Sequence, residues 1–147
     1  MQIPLELYKQ IHSVMPMPCV DIILKRKGEI LLVKRVNKPV EGQWWFPGGR
    51  VLKGETREAA VIRKSKEEIG VDVKILMELG TDDTIFENDG PFGETTHTIN
   101  TVYLVEVDGN KDFSLDSQHS DYGWFSEVVE NAHPYLKKYF NINKNLI

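Results

Sequence analysis

The chain has 147 residues, 41% of them hydrophobic, with 22 acidic against 18 basic side chains and a formal net charge of −4; this suits a single domain over 1–147 and gives no general attraction for nucleic acid or an anionic membrane. Cys19 is the single cysteine, which excludes an internal disulfide and fits a reducing compartment. With no secretory pattern and no apolar run of about 18 residues, a soluble cytoplasmic protein is expected.

Leu5 to Val14 reads as a short helix, which Met15-Pro16-Met17-Pro18 breaks. Val20 to Lys25 and Glu29 to Val36 are apolar runs either side of Lys27-Gly28 and predict a β-hairpin. Asp21 falls inside the first run, where an uncompensated carboxylate is costly to bury, so it requires a partner. Pro47-Gly48-Gly49 is a loop whose backbone can approach closely, because glycine has no side chain and tolerates unusual angles. Thr56 to Ile69 has no Pro or Gly and is rich in Ala, Glu, Lys and Arg, which predicts a helix that Gly70 stops. Strands are expected at Val71 to Gly80, Thr95 to Val107 and Tyr122 to Phe125. Between the first two, Thr81 to Glu94, with its Asp, Gly and Pro residues, reads as a loop bordering a pocket. Glu127 to Tyr139 reads as a closing helix interrupted near Pro134, and Asn141 to Ile147 as a tail without an assigned role.

The segment from Pro47 to Val71 carries the chemistry. Gly49, five residues, Glu55, seven residues, Arg63, then Glu67-Glu68-Ile69-Gly70 is a spacing few unrelated sequences reproduce. On a helix, Arg63, Lys64, Glu67 and Glu68 fall within an arc of roughly 140°, while Ala59, Ile62 and Ile69 point away. Carboxylates on that arc are hard oxygen ligands suited to Mg²⁺ or Mn²⁺, which keep waters and take further ligands from substrate phosphates. A lone Glu-Glu pair would instead read as a solvated face held by pairs such as Lys64 with Glu68. The glycine loop, Glu55 and Arg63 tip the balance toward a metal-dependent diphosphate enzyme.

These residues resemble the Nudix box: Gly, five residues, Glu, seven residues, Arg-Glu, an apolar residue, any residue, Glu-Glu, any residue, Gly, an apolar residue. Two positions depart. Lys64 stands where the family has the Glu after Arg, often a metal ligand or the base that activates water, and Ser65 stands where an apolar residue is usual. A charged lysine can do neither job. Asp21 in Cys19-Val20-Asp21-Ile22-Ile23, Lys34 to Pro39, Trp45 to Val51, Thr95-Thr96-His97 and Gln118 to Trp124 are further similar to the GDP-mannose mannosyl hydrolase subfamily. That subfamily also lacks the Glu, and it cleaves the bond between sugar carbon and oxygen.

The resemblance implies a Nudix α/β/α sandwich with a mixed β-sheet. It further implies hydrolysis of a nucleotide sugar, a GDP-hexose, to GDP and free hexose. It places Mg²⁺ (or Mn²⁺) on the Gly48 carbonyl, the Glu68 carboxylate and the Gln118 amide oxygen; Glu67, at a position the mannosyl hydrolases can lack, leaves open a second metal ligand of the kind ordinary pyrophosphatases use. It makes His119 the general base and gives Arg35 and Arg50 the diphosphate. Asp21 assists around the sugar and the attacking water, and the protein works as a homodimer. Taken alone, Arg35 and Arg50 would be surface residues, His119 part of a loop, and His97 a strand-end residue satisfied by the backbone. A histidine and a tyrosine of the subfamily align with Thr84 and Thr98, which leaves the sugar and base preference open. Two other readings stand beside this one: a pyrophosphatase that uses Glu67 and Glu68 with another base, and a binding module without turnover, which Lys64 would permit.

Overall fold

In the computed structural model, residues 2–109 and 121–146 are described. Helix α1 (Leu5–Val14) leads into strand β1 (Met17–Arg26), which turns through Lys27 (φ 48°) and Gly28 (φ 79°) into β2 (Glu29–Lys34). Two successive positive φ values are the geometry of a two-residue hairpin turn whose twist matches its strands. The expected hairpin is present, but its cross-strand pairing is confined to Lys25↔Ile30 and Arg26↔Glu29. Most of β1 has other partners. Two short strands that the sequence did not signal follow, β3 (Trp44–Trp45) and β4 (Gly48–Arg50), and then helix α2 (Arg57–Ile69). Long strands β5 (Val73–Phe86) and β6 (Thr96–Val107) run antiparallel, and β7 (Tyr122–Phe125) precedes helix α3 (Pro134–Lys144).

The sheet is mixed, in the order β3-β2-β1-β6-β5, with β4 added on β1 and β7 on β2. β1 runs parallel to β6 from Met17↔Thr98 to Leu24↔Val105, and on its other side Cys19, Val20 and Asp21 pair antiparallel with Arg50, Gly49 and Gly48. Strand alternation then sorts the core. Val20, Ile22 and Leu24 pack with Ala60, Val61 and Ile69 of α2, whereas Ile23 joins Leu136, Tyr139 and Phe140 of α3 on the opposite face. One helix on each face of one sheet is the expected α/β/α sandwich.

The box helix has the predicted ends. Thr56 Oγ1 accepts from the Ala59 amide at its start, and Gly70, at φ 71°, caps its end in the left-handed conformation.

Three expectations need correction. The segment 81–94 is not a loop throughout: β5 continues to Phe86, because Thr81 to Phe86 pair with Thr101 to Thr96. The closing helix begins at Pro134 instead of being interrupted there, since proline at the first helical position loses no hydrogen bond. Residues 141–144 belong to that helix, and Asn143 is fully buried with its amide donating to the Tyr139 carbonyl (2.8 Å). Among the described residues, no helix is long and apolar enough to cross a membrane.

Candidate active site

A cleft enclosing about 200 Å³ opens on the α3 side of the sheet, between β1, β4 and the ends of β5 and β6. Asp21, Arg35, Gly48 and Arg50 all line it, so four of the expected site residues converge although they span thirty positions of sequence. Asp21 is placed there by strand alternation: it points away from α2 while Val20 and Ile22 point toward it. It is only 6% exposed, and its partner is the α3 residue Tyr135, whose hydroxyl donates to Asp21 Oδ2. Burial pushes the Asp21 carboxyl up to about 7, against the opposing pull of the Tyr135 hydrogen bond and the Arg35 charge. The same burial and contact drive the Tyr135 phenol upward, so the tyrosine stays the donor.

Arg35 is held by its own loop. Its Nε donates to the Pro39 carbonyl (2.7 Å), and its backbone amide donates to Gln43 O (2.9 Å). The Val40 amide reaches Asp89 (2.9 Å), which ties that loop to the one after β5. The Arg50 guanidinium lies 5.5 Å over the Tyr8 ring of α1. Gly48 is required by closeness, for a Cβ there would lie 2.2 Å from the Val20 carbonyl oxygen.

Glu67 and Glu68 do not line the cleft. Lys64 bridges them, its Nζ 2.8 Å from Glu68 Oε1 and 3.3 Å from Glu67 Oε2. Arg63 fastens the helix to the loop, bonding Glu55 (2.7 Å), Glu67 (3.1 Å) and the Arg50 carbonyl (3.0 Å). Its hydrogen bond to Glu55 holds that carboxyl below the usual range. Glu55 is thereby committed to structure. His119 and Gln118 fall outside the described residues. His97 does not line the cleft; its partner is the Asp83 carboxylate (2.8 Å) across the β5–β6 pair, not the backbone group expected.

Several cleft residues were not singled out by the sequence reading. Thr96 and Asn100 alternate with Thr98 on one face of β6, and with Thr84 of β5 they form an uncharged polar floor. Asn100 Nδ2 donates to Thr84 Oγ1 (3.2 Å), Thr98 Oγ1 donates to Asn100 Oδ1 (3.0 Å), and Thr84 and Thr98 hydroxyls meet at 2.6 Å. Thr96 Oγ1 is buried without a protein partner. That polar alternation was the available signal. Tyr8 and His12 of α1 line one wall, and Phe92 packs against them edge to face at 5.1 to 5.9 Å. Burial lowers the His12 pKa and pushes the Cys19 thiol up to about 12, so Cys19 is no thiolate nucleophile near neutral pH.

The NUDIX domain family matches residues 15–141. This chain belongs to the Nudix family. It is 34% identical over 141 residues to the low-salt glycan biosynthesis protein Agl8 of Haloferax volcanii, covering 95% of this chain and 90% of that one. It is 38% identical over 96 residues to an ADP-ribose pyrophosphatase of Methanocaldococcus jannaschii, covering 65% of this chain and 54% of that protein. In structure it is similar to a MutT Nudix hydrolase from Burkholderia pseudomallei, with a TM-score of 0.68 and 28% identity, covering 86% of this chain and 97% of that one. This chain is therefore a Nudix hydrolase for small-molecule substrates.

Nudix hydrolases generally use Mg²⁺ or Mn²⁺. Among the described residues no three His, Cys, Asp or Glu side chains gather as an all-protein cage. The adjacent carboxylates Glu67 and Glu68, bridged by a Lys64 whose stem lies against Gly49, suit the other kind of site, in which waters and substrate phosphates supply most of the shell.

Proposed function

We propose that this Nudix hydrolase cleaves a GDP-hexose, GDP-mannose or GDP-glucose, at the anomeric carbon to give GDP and free hexose. The observation that carries this reading is the convergence of buried Asp21 with Arg35 and Arg50 in one cleft, while Lys64 occupies the box position where a carboxylate base would stand. With Glu55 committed to Arg63 and Lys64 engaged on Glu67 and Glu68, the described part of the box offers no base free to activate water toward phosphorus. The base of this reading is His119, chosen because histidine as a residue type exchanges a proton near neutral pH. The similarity to Agl8, a glycan biosynthesis protein, favours a sugar-bearing substrate.

In this reading Arg35 and Arg50 clamp the diphosphate from two sides of the cleft. The hexose lies toward Asp21 and the Thr84, Thr98 and Asn100 floor, whose neutral donors and acceptors suit hydroxyl groups. His119 takes a proton from water as the water oxygen bonds to the anomeric carbon. The carbon–oxygen bond to the diphosphate breaks and its electron pair goes to the departing GDP, whose charge the arginines stabilise. A divalent cation held by the Gly48 carbonyl, Glu68 and Gln118 would supply further positive charge to the leaving diphosphate. The same reading takes the chain as a single domain working as a cytoplasmic homodimer.

A second reading is a pyrophosphatase that cleaves the diphosphate itself. Adjacent Glu67 and Glu68 and the similarity to an ADP-ribose pyrophosphatase favour it. Product identification after incubation with GDP-mannose, GDP-glucose and ADP-ribose in Mg²⁺ separates the two. GDP with free hexose is expected; GMP with hexose 1-phosphate would replace the first reading by the second.

A further inference from the structure

Lys64 is not placed as an ordinary surface lysine. Its side chain is only 16% exposed, although the carboxylates it bridges, Glu67 and Glu68, are 51% and 43% exposed. The stem is held against the box loop: a Cβ on Gly49 would lie 2.4 Å from Lys64 Cε and 3.0 Å from its Nζ. An exposed i,i+4 pair ordinarily keeps its lysine stem mobile in water and contributes little. Here the ammonium is confined between two carboxylates and a glycine backbone. Burial raises the Cys19 thiol, and the Lys64 charge is among the weaker influences opposing that rise.

We propose that Lys64 is a built-in counter-cation: its ammonium fills the position between Glu67 and Glu68 that a second divalent ion would need. The chain then takes up one divalent ion, through the outer side of Glu68, where a carboxylate at position 64 would admit two. The ammonium supplies positive charge on the same side of the Gly48-Gly49 loop without requiring free metal. A bound cation this near also repels an incoming one, so Lys64 weakens the site it completes. The inference rests on the divalent-cation part of the proposed function and is independent of the sugar and of which bond breaks.

The test is Mn²⁺ binding to the full chain, followed by electron paramagnetic resonance in the absence of any nucleotide. The wild type is expected to hold no more than one Mn²⁺, and Lys64→Arg, which keeps the charge, to behave like it. Lys64→Met should bind Mn²⁺ about ten-fold or more tightly, as expected when a neighbouring unit charge is removed. Lys64→Glu should bind two ions. Thermal unfolding of each variant establishes that it is folded before titration. Two ions on the wild type, Lys64→Met binding as the wild type does, or Lys64→Glu still holding a single ion would each overturn the proposal. Because no nucleotide is present, a failure of hexose release as the reaction leaves this result unchanged.

Discussion

The hydroxyl of Tyr135, in the first turn of the C-terminal helix, donates to the carboxylate of Asp21 in the central strand. This contact joins the fold's last element to the floor of its cleft and gives a buried carboxylate its one side-chain donor among the described residues. The arrangement opposes stability at neutral pH. Asp21 titrates at about 7 in the folded chain, against an ordinary carboxylate value near 4, so the folded state holds its proton more tightly. Its contribution to stability is therefore complete below about pH 4 and is lost as pH rises toward 7.

Asp21→Asn removes that loss. Relative to wild type, the variant should gain on the order of 2–4 kcal/mol between pH 4 and pH 8, three units of displacement at about 1.4 kcal/mol each being the upper limit. Urea unfolding of both proteins at the two pH values measures it. A stability difference that does not change with pH would show that Asp21 is not the group responsible. Tyr135→Phe should act in the opposite sense at pH 8, costing about 1–3 kcal/mol by leaving the carboxylate without its donor.

Gly48 and Gly49 look equivalent in the sequence, and the structure separates them. A Cβ at Gly48 meets backbone, the Val20 carbonyl oxygen at 2.2 Å, whereas one at Gly49 meets the movable end of Lys64. Gly48→Ala should cost about 3 kcal/mol or more, and Gly49→Ala about 1 kcal/mol. Adding Lys64→Ala should recover most of the loss in Gly49→Ala and none in Gly48→Ala. Equal recovery in the two double variants, read by thermal unfolding, would contradict the two contacts.

The fold was legible wherever local chemistry and tertiary packing agree. The box helix ends at the cap and the glycine that its sequence supplies, and the apolar runs of β1, β2 and β6 are strands. It was not legible where pairing overrides composition. Residues 81–86 carry two aspartates and no aliphatic residue before Ile85, yet the partner strand β6 keeps them extended. Pro134 looked like an interruption because a proline is helix-breaking everywhere except the first turn. In the site, the need of Asp21 for a partner could be read from its apolar neighbours. Tyr135 could not be named as that partner, since 114 residues separate the two and only packing against the sheet joins them.

Glu68 and His119 bear different parts of the proposed reaction and should fail differently. Glu68→Gln removes a charged ligand, so it should weaken Mg²⁺ binding and lower turnover severely, and wild-type activity should vanish in excess chelator. His119→Gln should lower kcat by about 10² or more with little change in KM, because proton transfer contributes typically 10²- to 10⁴-fold and little to binding. Wild-type kcat should also fall as pH drops through the histidine range, and that limb should be absent in His119→Gln. Normal turnover with an unchanged pH profile in that variant would remove the histidine from the mechanism.

The position of bond cleavage is the sharpest consequence of the cleft's layout. Arg35 and Arg50 both line the same cleft as Asp21; in the proposed reaction the two guanidiniums hold the diphosphate as a stabilised leaving group, with the sugar toward the carboxyl. Under that proposal, water activated on the sugar side attacks carbon and not phosphorus. Hydrolysis of GDP-mannose in ¹⁸O-labelled water should then place the label in the hexose and leave GDP unlabelled. A single displacement has no covalent sugar intermediate, so the product should form with inverted anomeric configuration, visible by proton resonance before mutarotation. Label in a phosphate group would mean that water attacks phosphorus, and retention of configuration would mean that a side chain, with Asp21 the nearest carboxylate, attacks the sugar first.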